Sequence, residues 1–209
     1  MRFCILPVII LLLSGSALVA QDRLMKPELY IGANFGITES KIMFNPTVDQ
    51  GFLRGYNGGL VMRYIAEQNV GMQAELNFSQ RGWTESSGQY ARQLNYIELP
   101  FMTHIFMGKR SRFFINIGPK ISYLLLESVK TNDTKLTAAE RSTVVQHPFD
   151  YGICTGLGFL VNIKGKIFQL DTRANYSLSD VFANTKRDVF STSNNFNLSV
   201  NLAWLLKVK

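Results

Sequence analysis

Cysteine and histidine are scarce in this sequence. Its 209 residues include two cysteines and two histidines, too few for a disulfide framework or a cluster of metal ligands. Cys4 lies in an N-terminal segment that we expect to be removed, which leaves Cys154 without an internal disulfide partner. His104 and His147 have no partner at metal-ligand spacing. We therefore expect neither a metal site nor a cofactor.

Long apolar runs are missing after the first 20 residues. No later stretch approaches the roughly 18 consecutive apolar residues that indicate a membrane-spanning helix. Charged residues make up 18% of the chain and hydrophobic residues 46%, which argues against disorder. The net charge of +7 is compatible with nucleic-acid binding, but no nucleic-acid motif is present. Anionic outer-membrane lipid or lipopolysaccharide is therefore a better match than nucleic acid for the positive charge.

The N-terminus has the order of a secretory signal peptide. Arg2 precedes the apolar run 5–13, small residues follow, and Ala20-Gln21 offers a cleavage site. We predict a signal peptide over residues 1–20, with cleavage after Ala17 and an uncleaved anchor as alternatives. Removal of 20 of 209 residues leaves 189, which suits one domain over residues 21–209.

Alternation of apolar and polar residues dominates the rest of the chain and predicts β-strands. It is longest over residues 95–126, where two arms flank the basic turn Gly108-Lys109-Arg110-Ser111. Arms of this length exceed the usual strand of about 5–6 residues and suit a tilted membrane strand of about 9–11. Eight strands are predicted in all: 29–38, 56–65, 70–81, the two arms within 95–126, 149–163, 167–178 and 196–208.

The predicted connections alternate between long and short. Polar loops around Asn45-Pro46 and over 84–93, 127–148 and 179–193 alternate with turns at 66–69, Lys109-Arg110 and Gly165-Lys166. Outer-membrane barrels have an even number of strands, short periplasmic turns and longer external loops. We therefore predict an all-β fold, an eight-stranded antiparallel up-and-down transmembrane β-barrel with both termini in the periplasm.

The size of the apolar face decides which way it points. A soluble barrel of the lipocalin type also alternates, with its apolar face inward. The assignment puts roughly 45 apolar side chains on one face, more than an eight-stranded interior holds. We therefore expect this face to contact lipid, with an aromatic girdle near each interface. The girdle residues are Tyr56, Tyr123, Tyr151 and Tyr176 at one end and Tyr64, Phe113, Phe168 and Trp204 at the other.

The opposite face predicts a narrow polar lumen whose charges pair with one another, because an unpaired charge in a confined interior is costly. The predicted lumen residues are Arg63, Glu75, Arg81, Glu98, His104, Lys120, Asp150, Asp171 and Arg173, with Lys207 on the same face. Cross-strand neighbours suggest the pairs Glu98–Lys120 and Arg63–Glu75. We expect His104 to be hydrogen-bonded beside Glu98, and Cys154 to be inert filler.

Function is less constrained than fold. The leading hypothesis is a non-enzymatic barrel with a structural, adhesion or secretion-assembly role, followed by a small pore or transporter. A lipid-modifying enzyme is the third: Ser128, His147 and Asp150 lie near one rim, but nothing marks a strained nucleophile turn, so we expect no catalytic residue. Protein partners are expected at the loops 129–147 and 179–193, the latter with Lys186-Arg187, or at the periplasmic rim. The basic periplasmic ends are expected to meet phospholipid head groups or peptidoglycan.

Short motifs in the strands resemble a known family. They are Tyr96-Ile97-Glu98-Leu99-Pro100, Gly118-Pro119 with Tyr123-Leu124-Leu125, Phe149-Asp150-Tyr151-Gly152 with Gly156-Leu157-Gly158, and Tyr176-Ser177-Leu178. Together they resemble the PorT-like outer-membrane β-barrel family of Bacteroidetes-type bacteria. The resemblance implies an outer-membrane barrel over the whole mature chain. The family includes a component tied to a protein secretion pathway. It implies no catalytic residues.

Overall fold

A computed structural model of the chain describes residues 26–47, 49–85, 90–131, 145, 147–182 and 191–208. Eight strands pair in chain order, each antiparallel to its neighbours, and the last pairs with the first to close a barrel. The predicted fold class is therefore confirmed. The strands are β1 (Glu28–Asn45), β2 (Gln50–Ile65), β3 (Val70–Glu85), β4 (Tyr90–Gly108), β5 (Ser111–Thr131), β6 (Phe149–Ile163), β7 (Lys166–Asp180) and β8 (Thr192–Lys207).

The two ends of the barrel differ in their connections. One end, called here the short-turn end, carries the connections 66–69, 109–110 and 164–165 and the two ends of the described chain. The other, the loop end, carries the connections 46–49, 86–89, 132–148 and 181–191. Among the described residues no helix is long and apolar enough to cross a membrane. The predicted signal peptide, residues 1–20, lies outside the described residues and stays a prediction.

Several strands run further toward the loop end than their sequence pattern predicts. β6 has the predicted bounds, but β1 continues to Asn45 and β2 begins at Gln50. The predicted long loops between β1 and β2 and between β3 and β4 therefore shrink to 46–49 and 86–89. The cause is an inversion of the alternation: in β1, Ile42 and Phe44 point inward and are buried, whereas Ile31 and Phe35 point outward and are exposed.

The apolar face points outward, as predicted. Forty-one large apolar or aromatic side chains among the described residues are exposed, including Leu60 at 62% and Leu202 at 63%. All eight predicted girdle residues are among them. Such a wall is stable only in an apolar solvent, and closure satisfies the backbone hydrogen bonds of every strand edge within it. The barrel is therefore a membrane-spanning one.

A charge placed on this wall should destabilise the barrel according to depth. Leu76 lies outward near the middle of the apolar belt on β3. We expect Leu76→Lys to lower the free energy of unfolding by about 2–4 kcal/mol, the cost of a lysine at the bilayer midplane. Urea unfolding in lipid vesicles, followed by the mobility of unboiled protein on a denaturing gel, measures it.

The matched control for this change is Gln80→Lys, on the same face of β3 but past the belt. It should cost about 0–1 kcal/mol, as expected near an interface. Equal losses for the two variants would contradict the assignment of the belt.

Candidate functional site

The interior of the barrel is layered along its axis. Strand β1 shows the order: from the short-turn end, its buried inward side chains are Tyr30, then Asn34, Thr38 and Ser40, then Ile42 and Phe44. β4 and β5 show the same order, whereas β3 contributes only to the apolar layer at the loop end, and β2, β6, β7 and β8 contribute only to the layer at the short-turn end. Two apolar layers therefore enclose a polar middle section.

The first apolar layer closes the short-turn end. Its buried members are Tyr30, Val61, Ile65, Phe106, Phe114, Leu160, Ile167, Ala203 and Leu205. Phe114 packs over Gly158, where a Cβ atom would lie 2.6 Å from the Phe114 ring, so this position needs glycine. Arginines cover both sides of the layer: Arg63 lies over the Phe114 ring at 5.8 Å and Arg112 over the Phe106 ring at 4.5 Å.

Above this layer lies the first charge cluster, centred on Arg173. Its Nη1 is 2.6 Å from Glu75 Oε2 and its Nε 2.5 Å from Asp171 Oδ2. All three side chains are nearly completely buried. Asp171 and Arg173 belong to β7 whereas Glu75 belongs to β3, so this contact crosses the lumen between opposite walls.

Arg63 joins the same cluster through amides. It donates to the side-chain oxygens of Gln73 and Gln169, and Gln73 donates in turn to Glu75. Gln169 donates to Asp171 at 2.7 Å. The two arginines are therefore linked through the two glutamines, which donate to the same carboxylates as Arg173. Two carboxylates balance two guanidinium groups.

The second charge cluster lies nearer the loop end, around Arg81. Arg81 forms an ion pair with Glu98 and a second with Asp150 at 2.8 Å. Asp150 also lies 3.7 Å from Lys120 Nζ and accepts hydrogen bonds from Ser177 and Ser179. Here too the formal charges cancel, with two cations and two anions.

An aromatic layer closes the loop end. Its buried members are Ile42, Phe44, Trp83, Leu94, Tyr96, Val145 and Val181, with Tyr90, Leu124 and Phe182 packed against them. Val145, Val181 and Phe182 belong to the connections, so residues outside the strands complete the layer. The guanidinium of Arg92 lies 5.5 Å from the Trp83 ring and 5.2 Å from the Phe182 ring, and Arg92 also pairs with Glu127.

All nine predicted lumen residues are buried inside the barrel, but their pairing differs from the prediction. Glu98 pairs with Arg81 instead of Lys120, and Arg63 bonds glutamines instead of Glu75. The partner of Glu98 lies on β3 instead of β5. Glu75 pairs across the lumen with Arg173 instead of with Arg63. Lys207 is also misplaced in the prediction, because it lies exposed at the rim and pairs with Glu28.

His104 and Cys154 are both buried in the interior. His104 Nδ1 lies 2.7 Å from Asn116 Oδ1, and its ring lies between those of Phe106 and Phe114 rather than beside Glu98. Cys154 is buried with its Sγ 3.5 Å from Met102 Sδ. In the part of the chain that the structure describes, no group of histidine, cysteine, aspartate and glutamate side chains is arranged to hold a metal ion.

Three residues considered for catalysis are not assembled into a site. Asp150 is buried and bound to Arg81 and two serines, whereas Ser128 and His147 are exposed. Lys186 and Arg187, the predicted loop contacts, lie outside the described residues, as does most of the loop 129–147.

The prediction from sequence missed the two apolar layers. A signal for the first layer was present, because alternation fails beside the short turns. Phe113-Phe114 and Phe159-Leu160 place apolar side chains on both faces at once. The prediction from sequence assigns a face to neither Phe114 nor Leu160, which are the inward members of these pairs.

Comparisons with known proteins agree with this fold. A family model described as "Outer membrane protein beta-barrel domain" matches residues 19–183. The solved structure of the outer membrane protein OprG from Pseudomonas aeruginosa is 9% identical, with a TM-score of 0.50, and the match covers 86% of this chain and 95% of that one. Neisserial surface protein A (NspA) is 10% identical, with a TM-score of 0.50 and coverage of 86% and 98%. No curated protein sequence matches the chain.

Removing the central cation of the first charge cluster should be costly. Arg173→Met leaves Glu75 and Asp171 buried without their main partner, so we expect a loss of about 3–5 kcal/mol in the free energy of unfolding. Urea titration in vesicles measures the loss. The double variant that adds Asp171→Asn should recover most of it, because one buried cation, Arg63, and one buried anion, Glu75, then remain in balance. A loss for Arg173→Met alone that the double variant does not reduce would contradict the pairing.

Proposed function

The chain belongs to the outer membrane protein beta-barrel domain family, and we propose that it acts as a non-enzymatic outer-membrane barrel with a sealed lumen, whose loops bind its partners. Membership supports a location in the outer membrane. The narrower PorT-like assignment, with a role in secretion assembly, is the form of this proposal that the strand motifs favour.

The layered interior is the observation that carries the proposal. Two apolar layers close the ends, and two interlocked charge clusters fill the section between them. Eight-stranded barrels have interiors just wide enough for side chains to fill or for one small ligand. Cations and anions are balanced in both clusters, so neither cluster has an excess charge that would attract a permeating ion. Because the lumen has no open path through it, the two ends of the barrel are its functional surfaces.

A small pore is the alternative function. Conduction would require the apolar layers to part and the ion pairs across the lumen to separate. Buried pairs of this kind cost several kcal/mol to break, so the closed interior favours the sealed barrel. Catalysis has no support in the described residues, because Ser128, His147 and Asp150 do not meet.

We place the loop end outside the cell. The longest connections, 132–148 and 181–191, lie at that end, whereas the turns 109–110 and 164–165 are short. Barrels of the outer membrane have short periplasmic turns and longer external loops. Both ends of the mature chain are then periplasmic. A protein partner would meet the two long connections, the second of which includes Lys186 and Arg187, while lipopolysaccharide would surround this end of the wall.

Thiol labelling tests the sealed lumen. Cys154 is buried midway along the interior, so a small, charged methanethiosulfonate reagent should not modify it in the folded protein. Heat denaturation should expose it at once. The control carries Lys109→Cys with Cys154→Ala, both in a Cys4→Ser background, and should react without heating because position 109 is exposed. Rapid labelling of Cys154 in the folded barrel would indicate a water path and contradict the proposal.

Epitope insertion tests the orientation. A tag inserted between Lys186 and Arg187 should be detected by antibody on intact cells, and a tag between Lys109 and Arg110 only after the outer membrane is permeabilised. Both proteins should still show the mobility shift of a folded barrel. The reverse pattern would invert the proposed topology.

A further inference from the structure

Positive charge is concentrated at the rim of the short-turn end. The cations there are Lys26, Lys109, Arg110, Arg112, Lys164, Lys166 and Lys207, and the described residues of the same rim include two anions, Glu28 and Glu67. Glu28 is engaged with Lys207. Among the described side chains, no ion pair involves Lys164 or Lys166, and both are exposed. The rim therefore carries a net positive charge next to the aromatic girdle.

Three of these lysines surround one cavity. A depression of about 640 Å³ is lined by Lys164, Gly165, Lys166, Leu206, Lys207 and Val208. Leu206 and Val208 are outward apolar side chains with 40% and 61% exposure. Two residues before Leu206 lies Trp204, a girdle residue. The cavity therefore places ammonium groups next to an apolar surface, at the depth where lipid head groups meet acyl chains.

Lys164 occupies a backbone conformation that does not favour lysine. Its φ is 51° and that of Gly165 is 82°, the left-handed pair of a two-residue hairpin turn. Such turns prefer Asn-Gly, because a residue with a full side chain is strained at positive φ. Lysine here lowers the stability of the turn, so its presence indicates a use for the charge.

We propose that this cavity, with Lys164, Lys166 and Lys207 around it, binds the phosphodiester head group of an anionic phospholipid. The phosphate lies among the three ammonium groups while the first carbons of the acyl chains contact Leu206 and Val208. Lys164 and Lys166 supply the charge that Glu28 does not already neutralise. That the lipid belongs to the periplasmic leaflet rests on the proposed orientation, whereas the binding itself does not.

Quenching of Trp204 by brominated lipid measures binding at this site. The chain has two tryptophans; Trp204 is 49% exposed beside the cavity, whereas Trp83 is 7% exposed inside the opposite end. The barrel is reconstituted in phosphatidylcholine vesicles that contain equal fractions of dibrominated phosphatidylglycerol or dibrominated phosphatidylcholine. We expect several-fold stronger association of the brominated phosphatidylglycerol, decreasing as salt is raised because the attraction is electrostatic.

A charge-matched pair of variants separates this site from bulk attraction. Lys164→Asn with Lys166→Gln should abolish the preference for phosphatidylglycerol. Lys41→Gln with Arg54→Gln removes the same two charges near the loop end and should preserve it. Equal quenching by the two lipids in the native protein, or loss of the preference in both variants, would overturn the proposal. Because folding is checked by gel mobility, these results are independent of whether the lumen is sealed.

The single change Lys164→Asn distinguishes a lipid-binding role from a structural one. Asparagine suits the left-handed turn, so the variant should unfold at equal or higher urea concentration while its phosphatidylglycerol preference falls. A variant that loses stability, or one that retains the full preference, would contradict the assigned role of Lys164.

Discussion

The contact between Arg173 and its two carboxylates is the constraint on which the interior depends. Charges removed from water must find partners, because an unpaired buried ion costs several kcal/mol. Glu75 comes from the wall opposite Arg173 and Asp171. The contact therefore requires a barrel narrow enough for side chains to meet across it. Gly156 leaves room for the Arg173 side chain, because a Cβ atom at position 156 would lie 3.1 Å from Arg173 Cγ.

The two apolar layers protect this polar section and depend on it in turn. Arg63 lies over the Phe114 ring and Arg81 lies 4.8 Å from the Tyr96 ring, so each layer meets the charge clusters through a cation–π contact. Excluding water strengthens the ion pairs but makes an unmatched charge more expensive. The ion pairs of this interior are kept from water only when it is closed, which agrees with the proposed role of the loops and the basic rim as surfaces for partners and lipid.

The sequence predicted the barrel well where the surroundings of a strand impose a simple pattern. β6 has the predicted bounds because alternation runs from Phe149 to Phe159 and a turn containing Gly165 ends the strand. Beyond the lipid-facing part of β1 the alternation inverts, and Ile42 and Phe44 point inward. The strand was therefore predicted too short. The partner of Glu75 was predicted wrongly because contact between β3 and β7 depends on barrel diameter and strand stagger, which periodicity does not encode.

Single-channel recording in planar bilayers tests the sealed interior most directly. The account predicts that the purified barrel, folded by the criterion of gel mobility, adds no stable conducting level at any applied voltage, because both apolar layers and both charge clusters block the axis. Reproducible openings of defined conductance from the folded protein would contradict it.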